Sequence, residues 1–362
     1  MAPAFVLGLD TSAYTTSIAL LDEEGRLVHE ARRRLPVAPG ERGLRQSEAL
    51  FRHLLVLPEV LEEASARLTG GRAGEEALPL LAVAASTAPR PRPESYLPVF
   101  RAGERMGRAL AAVAGAPFFP LSHQEGHLLA VWYEKQQEAT GRQGLAVGAG
   151  EVAGEKDGDF LLLHVSGGTT ELLHVQPDRR GQTVSGFTLE ELGGSVDLKA
   201  GQFVDRVAVA LGLPFPGGPA LERLAAAAPS VKLEGHPRLP VGGRGLRVSF
   251  SGPATQAERW VKRGVPAAVV AQAVQECLVE TLLQLVAAGW EILPQRPLFV
   301  VGGVAANGVL RQRLVEEASR RGATVYFASP ERSTDNAVGV AYGGWRAWKE
   351  REKARWARHY DE

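Results

Sequence analysis

An apolar run at residues 5–9 leads straight into Asp10-Thr11-Ser12, and Thr16-Ser17 opens a second apolar run that closes at Asp22-Glu23-Glu24-Gly25. This reads as a strand, a tight hydroxyl-rich turn and a returning strand. The same figure comes back in mid-chain: residues 160–165 are apolar around His164, Ser166-Gly167-Gly168 makes the turn, and residues 169–175 return. Each hairpin opens about half of the chain. The pattern predicts a duplicated α/β architecture in which two similar lobes face a cleft.

Between and after the hairpins the period becomes helical. The spacing predicts helices over 102–114, 125–135, 220–227 (opened by Gly218-Pro219) and 266–288, and from about Asn307. Pro219 suits the first helical turn, where its missing N–H costs nothing. Residues 298–301 form a buried-type strand ending in Gly302-Gly303, residues 324–328 a last strand, and Thr334 starts a C-terminal helix. The polar, Gly- and Glu-rich stretch 136–159 is expected to be an exposed loop. The lobes are placed at 1–120 with 325–362, and at 121–324. The interleaved Trp, Arg, Lys and Glu of 345–358 read as a solvated helix end.

Composition narrows the partners. The 362 residues are 45% hydrophobic and 23% charged, enough for two lobes with their own cores. Lys+Arg and Asp+Glu both number 41, so a nucleic acid would be gripped by local patches and not by an overall basic field. Candidate phosphate contacts are Arg32-Arg33-Arg34, Arg90, Arg92, Arg244 and Arg247, each equally readable as solvated surface. The single Cys277 excludes an internal disulfide framework and a Cys-cluster zinc site, suits a reducing compartment, and fits a small core position. No run approaches the ~18–20 apolar residues of a membrane span, and residues 1–8 lack the features of a secretory signal. The expected location is cytoplasmic, with no membrane partner.

Chemistry concentrates at a few places. His123 and His127 stand four apart, so on a helix their rings lie ~5–6 Å from one another, close enough to share a divalent ion or simply to hydrogen-bond near a helix start. Two nitrogens do not complete a site. Asp335, in Ser333-Thr334-Asp335-Asn336, is the best further donor, or else a helix-capping acid. The glycine turns could present bare backbone to a phosphate or oxyanion. Asn307 after Gly302-Gly303 could read an adenosine or pack a helix, and Asp205 could accept from a ribose hydroxyl or face solvent.

In order and spacing these pieces resemble the TsaD/Gcp family, the tRNA threonylcarbamoyl transferases once described as O-sialoglycoprotein endopeptidases, over most of the chain from Asp10 to Gly343. The resemblance implies the two-lobe actin/Hsp70/sugar-kinase (ASKHA) fold with ribonuclease-H-like lobes around a nucleotide cleft. It implies that His123, His127 and Asp335 hold one divalent metal, Fe2+ or Zn2+. It further implies that His164, Val165, Ser166, Gly167, Gly168, Asp205, Gly218 and Asn307 bind an adenine nucleotide, ATP or threonylcarbamoyl-AMP, with Ser166-Gly167-Gly168 also stabilising the developing oxyanion. The implied activity is acyl transfer to adenosine N6 beside a tRNA anticodon, with TsaB-like and TsaE-like partner proteins and a homo- or heterodimer. A peptidase is not expected, since the His-Glu-x-x-His order is absent.

The chain departs from the family pattern at definite points. Glu-Thr-Ser-Cys-Asp-Glu-Thr becomes Asp10-Thr11-Ser12-Ala13-Tyr14-Thr15-Thr16, replacing two acids by Tyr14 and Thr15. Ser-Gly-Gly-His/Asn-Thr-Gln becomes Ser166-Gly167-Gly168-Thr169-Thr170-Glu171, and Pro89-Arg90-Pro91-Arg92-Pro93 displaces a Gly-Pro-Gly turn. These changes describe a divergent paralogue. They leave open a carbamoyl-type transferase with a non-tRNA acceptor, or a non-catalytic ATP- and metal-binding relative.

Overall fold

Two mixed sheets carry the fold in the computed structural model, which describes residues 3–12, 14–37, 44–68, 78–139, 158–227 and 238–360. The first sheet holds β1 (Phe5–Ser12), β2 (Thr15–Leu21), β3 (Leu27–Arg34), β4 (Leu80–Ala88) and β5 (Phe118–Ser122), in the order β3-β2-β1-β4-β5. Short turns make β1, β2 and β3 antiparallel. β4 and β5 add parallel to β1, and parallel addition requires crossovers, here the helices α1 (Gln46–Leu68) and α2 (Phe100–Ala114).

Helix α3 (His123–Ala139) leads to the second sheet: β6 (Phe160–Val165), β7 (Thr170–Pro177), β8 (Phe187–Ser195), β9 (Gly243–Arg244), β10 (Arg247–Val248), β11 (Leu298–Val301) and β12 (Val325–Phe327). Its order is β12-β11-β6-β7-β8-β10-β9. The run β8-β7-β6-β11-β12 repeats β3-β2-β1-β4-β5 in strand direction: three antiparallel strands, then two parallel. The duplication read from the two hairpins is therefore real. β1 and β6, each central and covered on both faces, are buried along their whole length.

The remaining helices are α4 (Ala200–Ala210), α5 (Gly218–Ala226), α6 (Ser251–Lys262), α7 (Ala267–Ile292), α8 (Gly308–Arg321), the short α9 (Pro330–Ser333) and α10 (Val338–Tyr360). α3 and α10 lie between the lobes, where Leu121, Leu128 and Val340 share one apolar cluster with Phe160, Leu162 and Phe299 of the second sheet.

Several expectations are corrected. β12, assigned with the first lobe, pairs with β11 in the second sheet, and β5 carries the first sheet to Ser122. The expected 136–159 loop is helical up to Ala139, and 140–157 lie outside the described residues. The C-terminal helix begins at Val338, not Thr334. Trp345 and Trp348 pack into the first lobe, and the Trp345 indole N–H donates to the Glu23 carbonyl, so that part of the tail is core. α7 is long and apolar enough to cross a membrane, contrary to the expectation that no such run exists, but 67% of its most apolar stretch is buried as the spine of the second lobe. Cys277 is one of those buried positions, and burial pushes its thiol up to about 11, away from nucleophilic use.

Candidate metal and nucleotide site

His123 is the first residue of α3, and a capping box puts it there. The Ser122 N–H and Oγ each meet Glu125 Oε2 at 2.7 Å, and the Glu125 N–H donates to Ser122 Oγ at 3.2 Å. Ser122-x-x-Glu125 is a readable start signal, and it explains why the helix begins two residues earlier than periodicity alone predicts.

His123 and His127 then fall on one face, with their Nε2 atoms 3.1 Å apart. Asp335 Oδ1 stands 3.4 Å from each of those nitrogens. Among the described residues this is a group of three donors that could hold one metal ion. Bonds of ~2.0–2.2 Å to one ion put neighbouring donors roughly 3.0–3.5 Å apart, so the triangle fits a divalent metal without rearrangement.

Asp335 reaches the pair because α10 crosses α3 at close range. A Cβ on Gly339 would lie 1.9 Å from the Gly126 carbonyl oxygen, so only glycine allows the crossing between the two histidines. Asp335 is also spared capping duty, since Asn336 Oδ1 accepts from the Val338 N–H at 3.1 Å and caps α10 instead.

Asp10, at the inner end of β1, was not singled out as a site residue from sequence. Its fully buried carboxylate accepts from His123 Nδ1 at 2.9 Å, which turns Nε2 toward the triangle, as carboxylates behind metal-bound histidines do. The charges of the cluster set its protonation. Burial opposes charge on His123, but Asp10 and Asp335 overcome it and push the imidazole up to about 10. Burial, with the charge on His123, keeps His127 low. Burial would raise Asp335, but hydrogen bonds from both histidines hold it well below the usual carboxylate range. A dication would take the place of the proton on His123.

Asp335 also lines a cavity of about 520 Å³ between the lobes. The first lobe contributes Tyr14, Thr15, Arg32 and Arg34; the second contributes Ser166, Gly167, Asp205, Gly218 and Asn307 among others. At Gly167, Gly218 and Gly303 an added Cβ would meet nothing within 4 Å, so bare backbone faces open space. Such a lining fits a nucleotide that approaches the main chain closely.

The expected nucleotide residues are only partly gathered here. Asp205 Oδ1 accepts from the Gly217 N–H at 2.7 Å and pins the Phe215–Gly218 turn; burial pushes its carboxyl up, against the nearby Arg34 charge. Asn307 caps α8 through the Leu310 N–H at 2.9 Å while lining the cavity. His164 and Val165 are buried behind the turn and do not line it. Nor does Gly168, whose N–H, like that of Thr169, turns onto Ser166 Oγ at 3.3 and 3.1 Å. Of the expected oxyanion trio, Ser166 and Gly167 remain at the cavity.

Tyr14 and Thr15 stand at the cavity wall, and the Tyr14 ring meets Phe215 edge-on at 5.7 Å across the cleft. Burial first, then the Asp205 charge, raise the Tyr14 hydroxyl. Four of the candidate phosphate-binding arginines are already paired with glutamates. Arg32 meets Glu30, Arg33 meets Glu63, and Arg90 and Arg92 cross between the lobes to Glu171 and Glu191.

The fold is that of a two-lobed ASKHA protein, and at the edge of its interlobe cavity stand three donors that could hold one metal ion. The same fold is seen in the crystal structure of HypF from T. kodakarensis (TM-score 0.54, 13% identity, covering 97% of this chain and 48% of that one). It is also seen in component A of the Acidaminococcus fermentans (R)-2-hydroxyglutaryl-CoA dehydratase (TM-score 0.52, 11% identity, covering 96% and 99%). A family model described as TsaD, tRNA N6-adenosine threonylcarbamoyltransferase, matches residues 143–342. Proteins of that name from Granulibacter bethesdensis and from Thermus thermophilus are each 32% identical to this chain, covering 94% and 96% of it and 88% and 93% of their own lengths. The chain belongs to the TsaD family of transferases.

Proposed function

We propose that this protein transfers a threonylcarbamoyl group from threonylcarbamoyl-AMP to N6 of an adenosine beside a tRNA anticodon, with a divalent metal bound by His123, His127 and Asp335. The observation that carries the reading is that one residue, Asp335, belongs both to the donor triangle and to the wall of the interlobe cavity. When bound there, a divalent ion supplies electrophilic polarisation of an acyl carbonyl. Asp10 holds the His123 tautomer that presents Nε2. Asp205 accepts from a ribose hydroxyl, the bare backbone at Gly218 and Gly303 accommodates the adenylate, and the Gly167 amide donates to the oxygen on which negative charge develops. Tyr14 and Phe215 close the cleft over the donor and exclude water from it. The relatives' names support a tRNA acceptor; the replacement of two acids by Tyr14 and Thr15 on the cavity wall supports a second reading, transfer to a non-tRNA acceptor.

Single-turnover transfer of labelled threonine from fresh threonylcarbamoyl-AMP to tRNA, with metal-loaded protein and in the presence and absence of TsaB-like and TsaE-like proteins, tests the proposal. Label on tRNA that disappears with His123→Ala is the expected result. Adenylate bound tightly but never passed to tRNA in either set would overturn it.

A further inference from the structure

Residues 32–34 are three arginines in a row, and the fold gives each a different situation. They end β3, with Arg34 opposite Thr15 of β2. Side chains alternate along a strand, so Arg32 and Arg34 line the cavity while Arg33 turns the other way, to Glu63 on α1. Arg32 is committed: it pairs with Glu30 and donates to the Glu331 carbonyl at 2.5 Å and to Thr334 Oγ1 at 3.2 Å. The acids of the wall are committed as well. Glu222 accepts from the Gly308 N–H at 2.8 Å, Asp205 from the Gly217 N–H, and Asp335 stands against the two histidines. Among the charged groups lining the cavity, Arg34 alone makes neither an ion pair nor a hydrogen bond with the described residues.

Its place in the cleft is set by the backbone. The Leu35 N–H donates to the Tyr14 carbonyl at 2.8 Å and ties this end of β3 to the turn that carries Tyr14. Burial raises the Asp205 carboxyl, while the Gly217 N–H and the Arg34 charge oppose it, so the guanidinium is felt by the other lobe. The cavity thus offers bare backbone on the second lobe and, on the first, a positive charge that the described residues do not take up. That combination suits a nucleotide whose base and ribose rest on the second lobe and whose phosphate faces the first.

We propose that Arg34 binds the phosphate of the adenylate from the first lobe, so that the cavity selects a nucleoside monophosphate over a nucleoside. The planar guanidinium meets two phosphate oxygens at once, which an ammonium group does not. Binding breaks no native pair of Arg34 among the described residues. The inference rests on the reading of the cavity as an adenylate site, and the experiment separates the two.

Calorimetry measures the dissociation constants of AMP and of adenosine for wild type, Arg34→Gln, Arg34→Lys and Asp205→Asn, at one fixed Zn2+ concentration and two ionic strengths. Thermal midpoints of the ligand-free forms are measured alongside. Wild type should hold AMP more tightly than adenosine. Arg34→Gln should weaken AMP about 10–100-fold, the weight of hydrogen bonds to a charged group, and leave adenosine unchanged. Arg34→Lys should recover part of that loss. Added salt should narrow the wild-type preference for AMP more than that of Arg34→Gln, and both Arg34 variants should melt like wild type without ligand. AMP and adenosine weakened alike, or AMP binding untouched, would overturn the proposal while leaving the cavity a nucleotide site. Failure of wild type to bind either ligand, or binding of both unaffected by Asp205→Asn, would overturn the nucleotide reading and the proposal with it.

Discussion

The two lobes are tied together across the cleft by an ion pair that each partner needs to a different degree. Arg90, after β4, donates through Nε to Glu171 Oε1 on β7 at 2.7 Å, and Gln124 donates to Glu171 Oε2 at 2.9 Å. The Glu171 side chain is 6% exposed and that of Arg90 27%. Arg90→Ala therefore strands a carboxylate that water barely reaches, with Gln124 its one remaining side-chain partner among the described residues. We expect a loss of about 3 kcal/mol, the low end for breaking a buried pair. Glu171→Gln leaves the guanidinium partly in water and keeps a neutral acceptor, so about 1–2 kcal/mol is expected. The double variant removes both charges and should cost less than the sum, with a coupling of about 1–3 kcal/mol. Urea unfolding of the four proteins at two ionic strengths measures all of these quantities. Because the pair is mostly out of solvent, added salt should change the coupling little. Additivity within about 0.5 kcal/mol, or Glu171→Gln costing more than Arg90→Ala, would refute the reasoning that burial of the carboxylate sets the asymmetry.

Other consequences follow from the same geometry. His53 is fully buried on α1, bonded through Nδ1 to Thr16 Oγ1 at 2.8 Å, and burial lowers its pKa from 6.5 to about 4. The unfolded chain binds that proton first as pH falls, so the contribution is complete above about 6.5 and is lost towards about 4, by about 3 kcal/mol. Thermal midpoints of His53→Gln across that window should show a shallower slope than wild type. Asp10→Asn should weaken Zn2+ binding about 10–100-fold, measured by chelator competition, because the tautomer of His123 is no longer fixed. Gly339→Ala should force α10 off α3 and impair both folding stability and Zn2+ affinity, read by melting with and without the ion. Asp205→Asn should reduce adenine-nucleotide affinity about tenfold or more by calorimetry, through loss of a charge-assisted hydrogen bond.

The sequence by itself determined the features that depend on neighbours a few residues apart. Apolar runs broken by small polar turns marked both hairpins, a period of 3.6 marked most helices after them, and the i, i+4 spacing of His123 and His127 already placed two donors on one face. The Ser122-x-x-Glu125 box was equally local, though masked by the apolar pattern that starts after it. What required tertiary structure was every meeting across the chain. Asp335 could be a helix cap or a ligand until Asn336 took the cap and the Gly126–Gly339 crossing brought Asp335 to the pair. Asp10 reads in sequence only as the polar residue that follows an apolar run, and the fold sets its carboxylate against His123 at the start of α3. Val165, Gly168 and His164 share a motif with Ser166 and Gly167, but the pleat of β6 sends Val165 into the second-lobe core and His164 to the opposite face against His127, and the Gly168 N–H turns onto Ser166 Oγ. Contacts between distant segments carry no local signature, because they are set by which faces two lobes bury against each other and by where glycine lets two backbones touch.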